Sequence, residues 1–110
     1  MTVNVRIRVR HRYRAADAME RIRKRAEELK TQFAFFLQST HAEWGRTMSL
    51  VRVNALSHAF TATIETTDRV AMLQIEMPEA LGPMSDKLGS AVRRELRRAL
   101  DGADSPRAAR

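Results

Sequence analysis

The first segment of the chain alternates apolar and polar residues from residue 3 to residue 14. Successive side chains of a β-strand point to opposite faces of its sheet. The pattern therefore predicts an N-terminal strand with one apolar face and one basic face. The apolar face carries Val3, Val5, Ile7 and Val9, followed by His11 and Tyr13. The other face carries Asn4, Arg6, Arg8, Arg10, Arg12 and Arg14.

Two later segments have the apolar spacing of α-helices. Residues 15–32 carry one apolar stripe, which predicts a first helix. Residues 84–100 carry a second stripe and predict a closing helix, which Pro78 and Gly82-Pro83 separate from the segment before it. The first stripe consists of Ala15, Met19, Ile22, Ala26, Leu29 and Phe33, and the second of Met84, Leu88, Ala91, Val92, Leu96, Ala99 and Leu100.

The region between the helices predicts strands. Residues 58–66 and 70–77 alternate well, and residues 47–54 predict another strand with a bulge at Leu50-Val51. Residues 34–40 are apolar and rich in aromatics, so they either form one more strand starting near Ala34 or extend the loop after the helix.

A turn is expected over residues 41–46, where Gly45 would supply any position with positive φ.

The resulting order is β-α-β-β-β-(β)-α. An antiparallel sheet with both helices packed on one face buries every apolar face in this order, so we predict an α+β fold. Residues 1–100 form the predicted single domain, and residues 101–110, which lack periodicity, the predicted disordered C-terminal tail. The open face of the sheet would carry Arg6, Arg8, Arg10, Arg52, Thr61, Thr63, Glu65, Gln74 and Glu76.

Composition narrows the functional class. The chain has 20 Lys and Arg against 13 Asp and Glu, which gives a net charge of +7. Nearly all of the cationic residues are arginines, and the planar guanidinium group binds carboxylates and phosphates well. The lack of cysteine excludes disulfides and thiolate metal sites and fits a reducing compartment. No apolar run reaches the ~20 residues of a membrane span, and we expect no signal peptide because the first residues alternate Arg with Val. We therefore expect a cytoplasmic protein without a membrane span.

The arginines of the open face allow two interpretations. They could form a binding surface for RNA, another polyanion or an acidic partner. Alternatively, they could be solvated and pair across strands with Glu65 and Glu76. A second basic patch lies on the outer face of the last helix, which should point away from the open face of the sheet. It consists of Arg93, Arg94, Arg97 and Arg98.

Residues for catalysis or metal binding are not arranged in any recognisable pattern. His11, His41 and His58 lack metal-ligand spacing, and the carboxylates are scattered singly, so we predict no catalytic site, no metal and no cofactor. Trp44 is interpreted either as a lid over the end of the sheet or as a contact residue for a partner. A small-ligand pocket between helices and sheet remains a further alternative, lined by Met19, Met72, Met77 and Met84.

Several short motifs resemble one known family. They are Val9-Arg10-His11, Trp44-Gly45 before the third strand, Asp68-Arg69-Val70, and the strand from Leu73 to Pro78. The chain resembles the polyhydroxyalkanoic acid system proteins, small bacterial proteins encoded with genes for polyester storage granules, some of which occur at granule surfaces. The resemblance implies a non-enzymatic accessory protein whose partner is the granule surface or a granule protein.

Arg6, Arg8, Arg10 and Arg52, with Trp44, would contact that partner. The same order of elements is similar to that of ribosome hibernation-promoting factors, so binding of RNA or ribosomes is the alternative function. Because an exposed sheet face or edge can pair with a second copy, a homodimer is also expected.

Overall fold

A five-stranded antiparallel sheet and two α-helices make up the computed structural model, which describes residues 2–100. The order β-α-β-β-β-β-α confirms the predicted α+β fold, and the predicted tail, residues 101–110, lies outside the described residues. The strands are β1 (Thr2–Arg10), β2 (Leu37–Glu43), β3 (Met48–Ala55), β4 (His58–Thr66) and β5 (Val70–Pro78). The helices are α1 (Ala15–Gln32) and α2 (Ser85–Leu100), with short 3-10 segments at Ala34–Phe36 and Glu79–Met84.

The N-terminal strand lies at the edge of the sheet, whose strand order is β1-β5-β4-β3-β2. It pairs with β5 along its whole length, from Thr2 opposite Pro78 to Arg10 opposite Val70. Strands β2, β3, β4 and β5 follow one another as an antiparallel meander. The two edges of the sheet are therefore β1 and β2.

The hydrophobic core lies between one face of the sheet and the two helices. Alternate residues of β1, β4 and β5 face this core, as the period-two pattern predicted. The helices contribute residues from the first half of α1 and the second half of α2. The buried apolar residues of the cluster are Ile7, Val9, Ala18, Met19, Ile22, Ile64, Ala71, Leu73, Ile75, Leu96, Ala99 and Leu100.

Helix α1 extends well beyond the core. Its last buried residue is Ile22, and the helix continues to Gln32, a further ~15 Å at the rise of an α-helix. Ala26 and Leu29, on the predicted stripe, are only half-buried, and Phe33 is exposed. The apolar stripe is thus covered at its start and uncovered at its end.

Contacts between the two helices are polar as well as apolar. Arg25 of α1 lies 2.6 Å from the carboxylate of Glu95 on α2, and its hydrogen bonds to Glu28 and Glu95 raise its pKa. Arg21 donates to the carbonyl oxygen of Ala99 at 2.8 Å. These contacts fasten the start of α1 to the end of α2.

Two predicted boundaries and the predicted bulge were wrong. Strand β1 ends at Arg10, because the backbone N–H of Tyr13 bonds to Nδ1 of His11 and turns the chain. Residues 34–36 form a 3-10 turn, so β2 begins at Leu37 and its last residues occupy part of the predicted turn. The pairing of β3 with β4 runs without a break, and the irregularity of the sheet lies in β2 after Leu37.

Gly45 is required for a different reason from the one predicted. None of the glycines in residues 2–100 has positive φ. A Cβ atom at Gly45 would instead lie 2.3 Å from the backbone oxygen of Met48, because the β2–β3 connection folds tightly on itself. Its N–H donates to the hydroxyl of Ser49, which in turn bonds to the sulfur of Met19 in the core.

We predict that Gly45→Ala lowers the free energy of unfolding by about 1–3 kcal/mol, because the added methyl group collides with backbone that cannot move aside cheaply. Gly82→Ala is the matched control, since its Cβ would meet only the Val3 side chain at 3.5 Å. Urea denaturation of both variants is the measurement. Equal losses in the two variants would contradict the steric explanation.

Candidate anion-binding surface

Three arginines form a row along the outer face of β1. Arg6, Arg8 and Arg10 are exposed, and their partners across β5 are Gln74, Met72 and Val70. None of these three partners carries a charge. Within residues 2–100 the arginines of the row make no ion pair with Glu65 or Glu76, because the register places neutral side chains opposite them.

Arg52 lies on the same face but apart from this row. It is on β3, opposite Thr61 of β4 and His41 of β2. Strands β4 and β5 separate it from β1, which at the usual strand spacing is a distance of ~14 Å. The structure therefore places the four predicted arginines on one face but brings only three of them together.

Further arginines gather at the end of the sheet where β1 finishes. The connections β1–α1, β2–β3 and β4–β5 all lie at this end, because α1 begins there and the strands are antiparallel. Each connection carries exposed arginines without an ion pair in the described part of the chain. We call this surface the basic end; it consists of Arg10, Arg12, Arg14, Arg46 and Arg69.

The sequence pattern predicted Arg12 and Arg14 as part of the first strand, and it did not predict Arg46 or Arg69 as site residues. In the sequence, nothing marks Arg46 and Arg69 as site residues except that each lies in a connection between two strand-like segments. The topology had to be known before these connections could be assigned to one end.

The free edge of β1 is protected by an arginine from α2. His11 donates its N–H to the carbonyl oxygen of Arg69, so the odd-numbered residues of β1 form the hydrogen-bonded pairs with β5. The even-numbered residues, including Arg8, then direct their backbone groups to the open edge. Arg93 donates from Nη1 to the carbonyl oxygen of Arg8 at 3.1 Å.

The four arginines of the second basic patch on α2 therefore differ in their contacts. Arg93 supports the edge of β1, and Arg98 lies 3.6 Å from Glu95, which also binds Arg25. Arg94 and Arg97 are exposed and have no ion pair or hydrogen bond within residues 2–100. Two of the four arginines thus contact other parts of the chain, and two are solvated on the outer face of α2.

Trp44 and the histidines have structural surroundings. Trp44 is half-buried and packs against the hydrophobic core, as expected of a lid over the end of the sheet. His11 accepts the N–H of Tyr13, and its buried Nε2 has no hydrogen-bond partner in the described residues. His41 lies 3.4 Å from Glu43 on the exposed edge strand. Within residues 2–100 no group of three potential metal ligands occurs.

The four methionines considered as a pocket lining do not come together. Met19 and Met77 are buried in the interior between helices and sheet. Met72 points to the open face opposite Arg8, and Met84 is exposed before α2. The exposure of Met84 and Ala91 also shortens the predicted apolar stripe of α2.

An exposed aromatic cluster lies at the opposite end of the sheet from the basic end. Phe33, Phe35 and Phe36 follow the end of α1, and Leu56 lies in the β3–β4 turn beside the start of β2. We call these four residues the aromatic tip. For residues 34–40 the sequence predicted either a strand starting near Ala34 or a longer loop; the strand exists but starts at Leu37, and three phenylalanines in four positions without alternation were a signal against an earlier start.

Comparison with known proteins gives one family. The family model described as "Putative polyhydroxyalkanoic acid system protein" matches residues 5–100. A search of curated proteins found no match. None of the helices in residues 2–100 combines the length and apolar character needed to cross a membrane.

Two solved structures have a distantly similar fold. One is Ara h 8.0201, with 8% identity, 91% of this chain and 98% of that chain covered, and a TM-score of 0.42. The other is truncated norcoclaurine synthase from Thalictrum flavum, with 9% identity, 96% and 94% covered, and a TM-score of 0.44.

The contact between Arg93 and β1 predicts unequal effects of two neighbouring substitutions. Arg93→Ala should lower the free energy of unfolding by about 1 kcal/mol, because it removes a charged donor from a carbonyl group of the edge strand. Arg94→Ala should change it by less than about 0.5 kcal/mol. Urea denaturation measures both, and an equal response would show that the contact adds no stability.

Proposed function

The chain belongs to the polyhydroxyalkanoic acid system protein family, and on that basis we propose that it is a non-enzymatic accessory protein of polyester storage granules. In this proposal the open sheet face and the basic end bind an acidic partner at the granule. The proposal assigns the anion contacts to the arginine row of β1 and to the basic end, with Arg52 as a separate outer contact.

The observation that carries this proposal is the unpaired state of the arginine row. Arg6, Arg8 and Arg10 lie side by side on one strand, with neutral residues opposite and no ion pair within residues 2–100. Like charges along a strand repel one another unless they are neutralised. An anionic partner would remove that repulsion and would gain charge-assisted hydrogen bonds from each guanidinium group.

RNA is the second candidate partner, and the basic end is the observation that favours it. Loops and strand together form a broad positive surface, which suits a phosphate backbone as well as an acidic protein. The two partners differ in location in the cell: an acidic granule protein holds the chain at granules, whereas ribosomal RNA holds it at ribosomes.

We predict that the protein co-purifies with polyester granules when a lysate of polyester-producing cells is separated on a density gradient at low salt. Immunoblotting of the granule, ribosome and supernatant fractions is the measurement. Presence in the ribosome fraction, with loss from it at high salt, would replace the granule proposal by the RNA alternative. Presence in the supernatant alone would contradict both.

A second prediction concerns the arginine row itself. The double substitution Arg6→Gln and Arg8→Gln should weaken binding to poly-L-glutamate about three- to tenfold, because two exposed charge contacts are lost. The matched control, Arg94→Gln with Arg97→Gln, removes the same charge from α2 and should bind as the unchanged protein does.

Fluorescence anisotropy with labelled poly-L-glutamate and labelled single-stranded RNA measures both variants across a salt series. Equal weakening by the control would mean that net charge, not the arginine row, determines binding. Tighter binding of RNA with a steep salt dependence would favour the RNA alternative.

A further inference from the structure

We propose that the aromatic tip inserts into the apolar surface of the storage polyester and so attaches the chain to the granule. This inference rests on the proposed function and assigns the attachment to a surface separate from the arginines. The residues that carry it are Phe33, Phe35, Phe36 and Leu56.

The tip places aromatic rings in solvent rather than in the core. Phe35 is 84% exposed, Phe36 52% and Phe33 45%. The rings contact mainly one another: Phe35 and Phe36 lie edge to face at 5.3 Å between centroids, and Phe33 and Phe36 lie 6.4 Å apart. The chain has four phenylalanines, and none of them is among its buried core residues. Large apolar groups clustered in this way mark an interaction surface.

Leu56 points to the same conclusion. It is 71% exposed and has a φ of 54°, in the left-handed region that disfavours residues other than glycine, asparagine and aspartate. The two-residue turn that contains it would be more stable with asparagine or glycine. Leucine here helps neither the turn nor the core, and we assign its apolar side chain to the same contact surface as the three phenylalanines.

The tip lies at the end of the sheet away from the basic end, where α1 ends and the β3–β4 turn reverses the chain. Ser57 in the β3–β4 turn donates its N–H to Gln38 at 2.7 Å, which holds that turn against the start of β2. Because Phe35 and Leu56 are mostly uncovered, this end of the molecule can enter a soft apolar phase without any rearrangement of the core.

The scarcity of charge around the tip favours a neutral polymer; Lys30, one helical turn before Phe33, is the nearest charged residue in the sequence. Residues 31–42 and 53–64 contain no Asp, Glu, Lys or Arg, although charged residues make up 30% of the chain. Segments that bind anionic phospholipid surfaces carry lysines and arginines beside their apolar residues. A polyester offers apolar backbone and ester carbonyl acceptors without charge, which matches an apolar surface bordered by hydroxyl and amide side chains.

A second copy of the chain fits the tip less well. Four side chains of these sizes and exposures present roughly 400–500 Å² of surface. A stable protein–protein interface buries about 800 Å² on each partner. The tip alone is therefore too small for a stable homodimer, but it is large enough to anchor a protein in an apolar phase.

The test compares two double variants, each of which replaces two exposed apolar side chains by polar ones. Phe35→Gln with Leu56→Asn alters the tip, and asparagine suits the backbone conformation at position 56. Met48→Gln with Met84→Gln is the control, since both methionines are more than half exposed and lie outside the tip. Co-sedimentation with amorphous poly(3-hydroxybutyrate) particles measures binding at low and at molar salt.

We expect the tip variant to bind the particles about tenfold more weakly or worse. The control should bind as the unchanged protein does, at either salt concentration. The tip variant should retain its affinity for poly-L-glutamate and should unfold at the same or higher urea concentration, which separates lost attachment from lost structure.

Several outcomes would overturn the inference: no binding of the unchanged protein to the particles, equal binding by the tip variant, or an equal loss in the control. Tighter binding to vesicles of anionic phospholipid than to polyester would also overturn it. So would a tip variant that binds polyester as the unchanged protein does but no longer sediments as a dimer. If the tip variant stays with granules from cells after a wash at molar salt, which removes charge contacts, the tip proposal fails while the proposed function stands.

Discussion

The structure depends on the pairing of β1 with β5, two segments that lie far apart in the sequence. Nine residue pairs in unbroken register join them, from Thr2 with Pro78 to Arg10 with Val70. A shift of one residue would turn the arginines towards the core and the apolar residues towards solvent. Such a shift would bury several unpaired charges, so the alternation of β1 fixes its register strongly. The same register places neutral residues opposite the arginine row.

Much of this fold could be predicted from the sequence because its elements have clear periodicity. The element types, the packing of helices on one sheet face and the residues of the open face were all predicted. These predictions rest on the alternation in β1, β4 and β5 and on the apolar stripe of α1. In the least periodic segment, residues 34–40, the choice between strand and loop stayed open, because its apolar run resembles a buried strand but does not alternate; the strand begins only at Leu37. The end of β1 was missed because the alternation continues to Arg14, whereas a side-chain contact of His11 turns the backbone after Arg10.

The candidate site was less predictable because it depends on topology. Residues of one strand, such as Arg6 and Arg8, share a face whatever the fold. Arg46 and Arg69 join them only because two connections far apart in sequence lie at one end of the sheet. Arg93 was predicted as part of a solvated patch, but the packing of α2 beside β1 brings it to a backbone carbonyl. Helical spacing places Arg93, but not Arg94, at the border of the apolar stripe of α2, yet it could not show that β1 lies beside that border.

Protection of the β1 edge bears on how the chain associates with others. Two copies pairing through β1 would bring two rows of arginines together, and the contact of Arg93 with Arg8 would have to break. Charge therefore disfavours self-association at this edge but favours an anionic partner on the adjacent face. The other edge, β2, carries His41 and Glu43 and has no such protection within residues 2–100. A homodimer of this chain, if it forms through a sheet edge, should therefore use β2, which leaves the arginine row open to a partner.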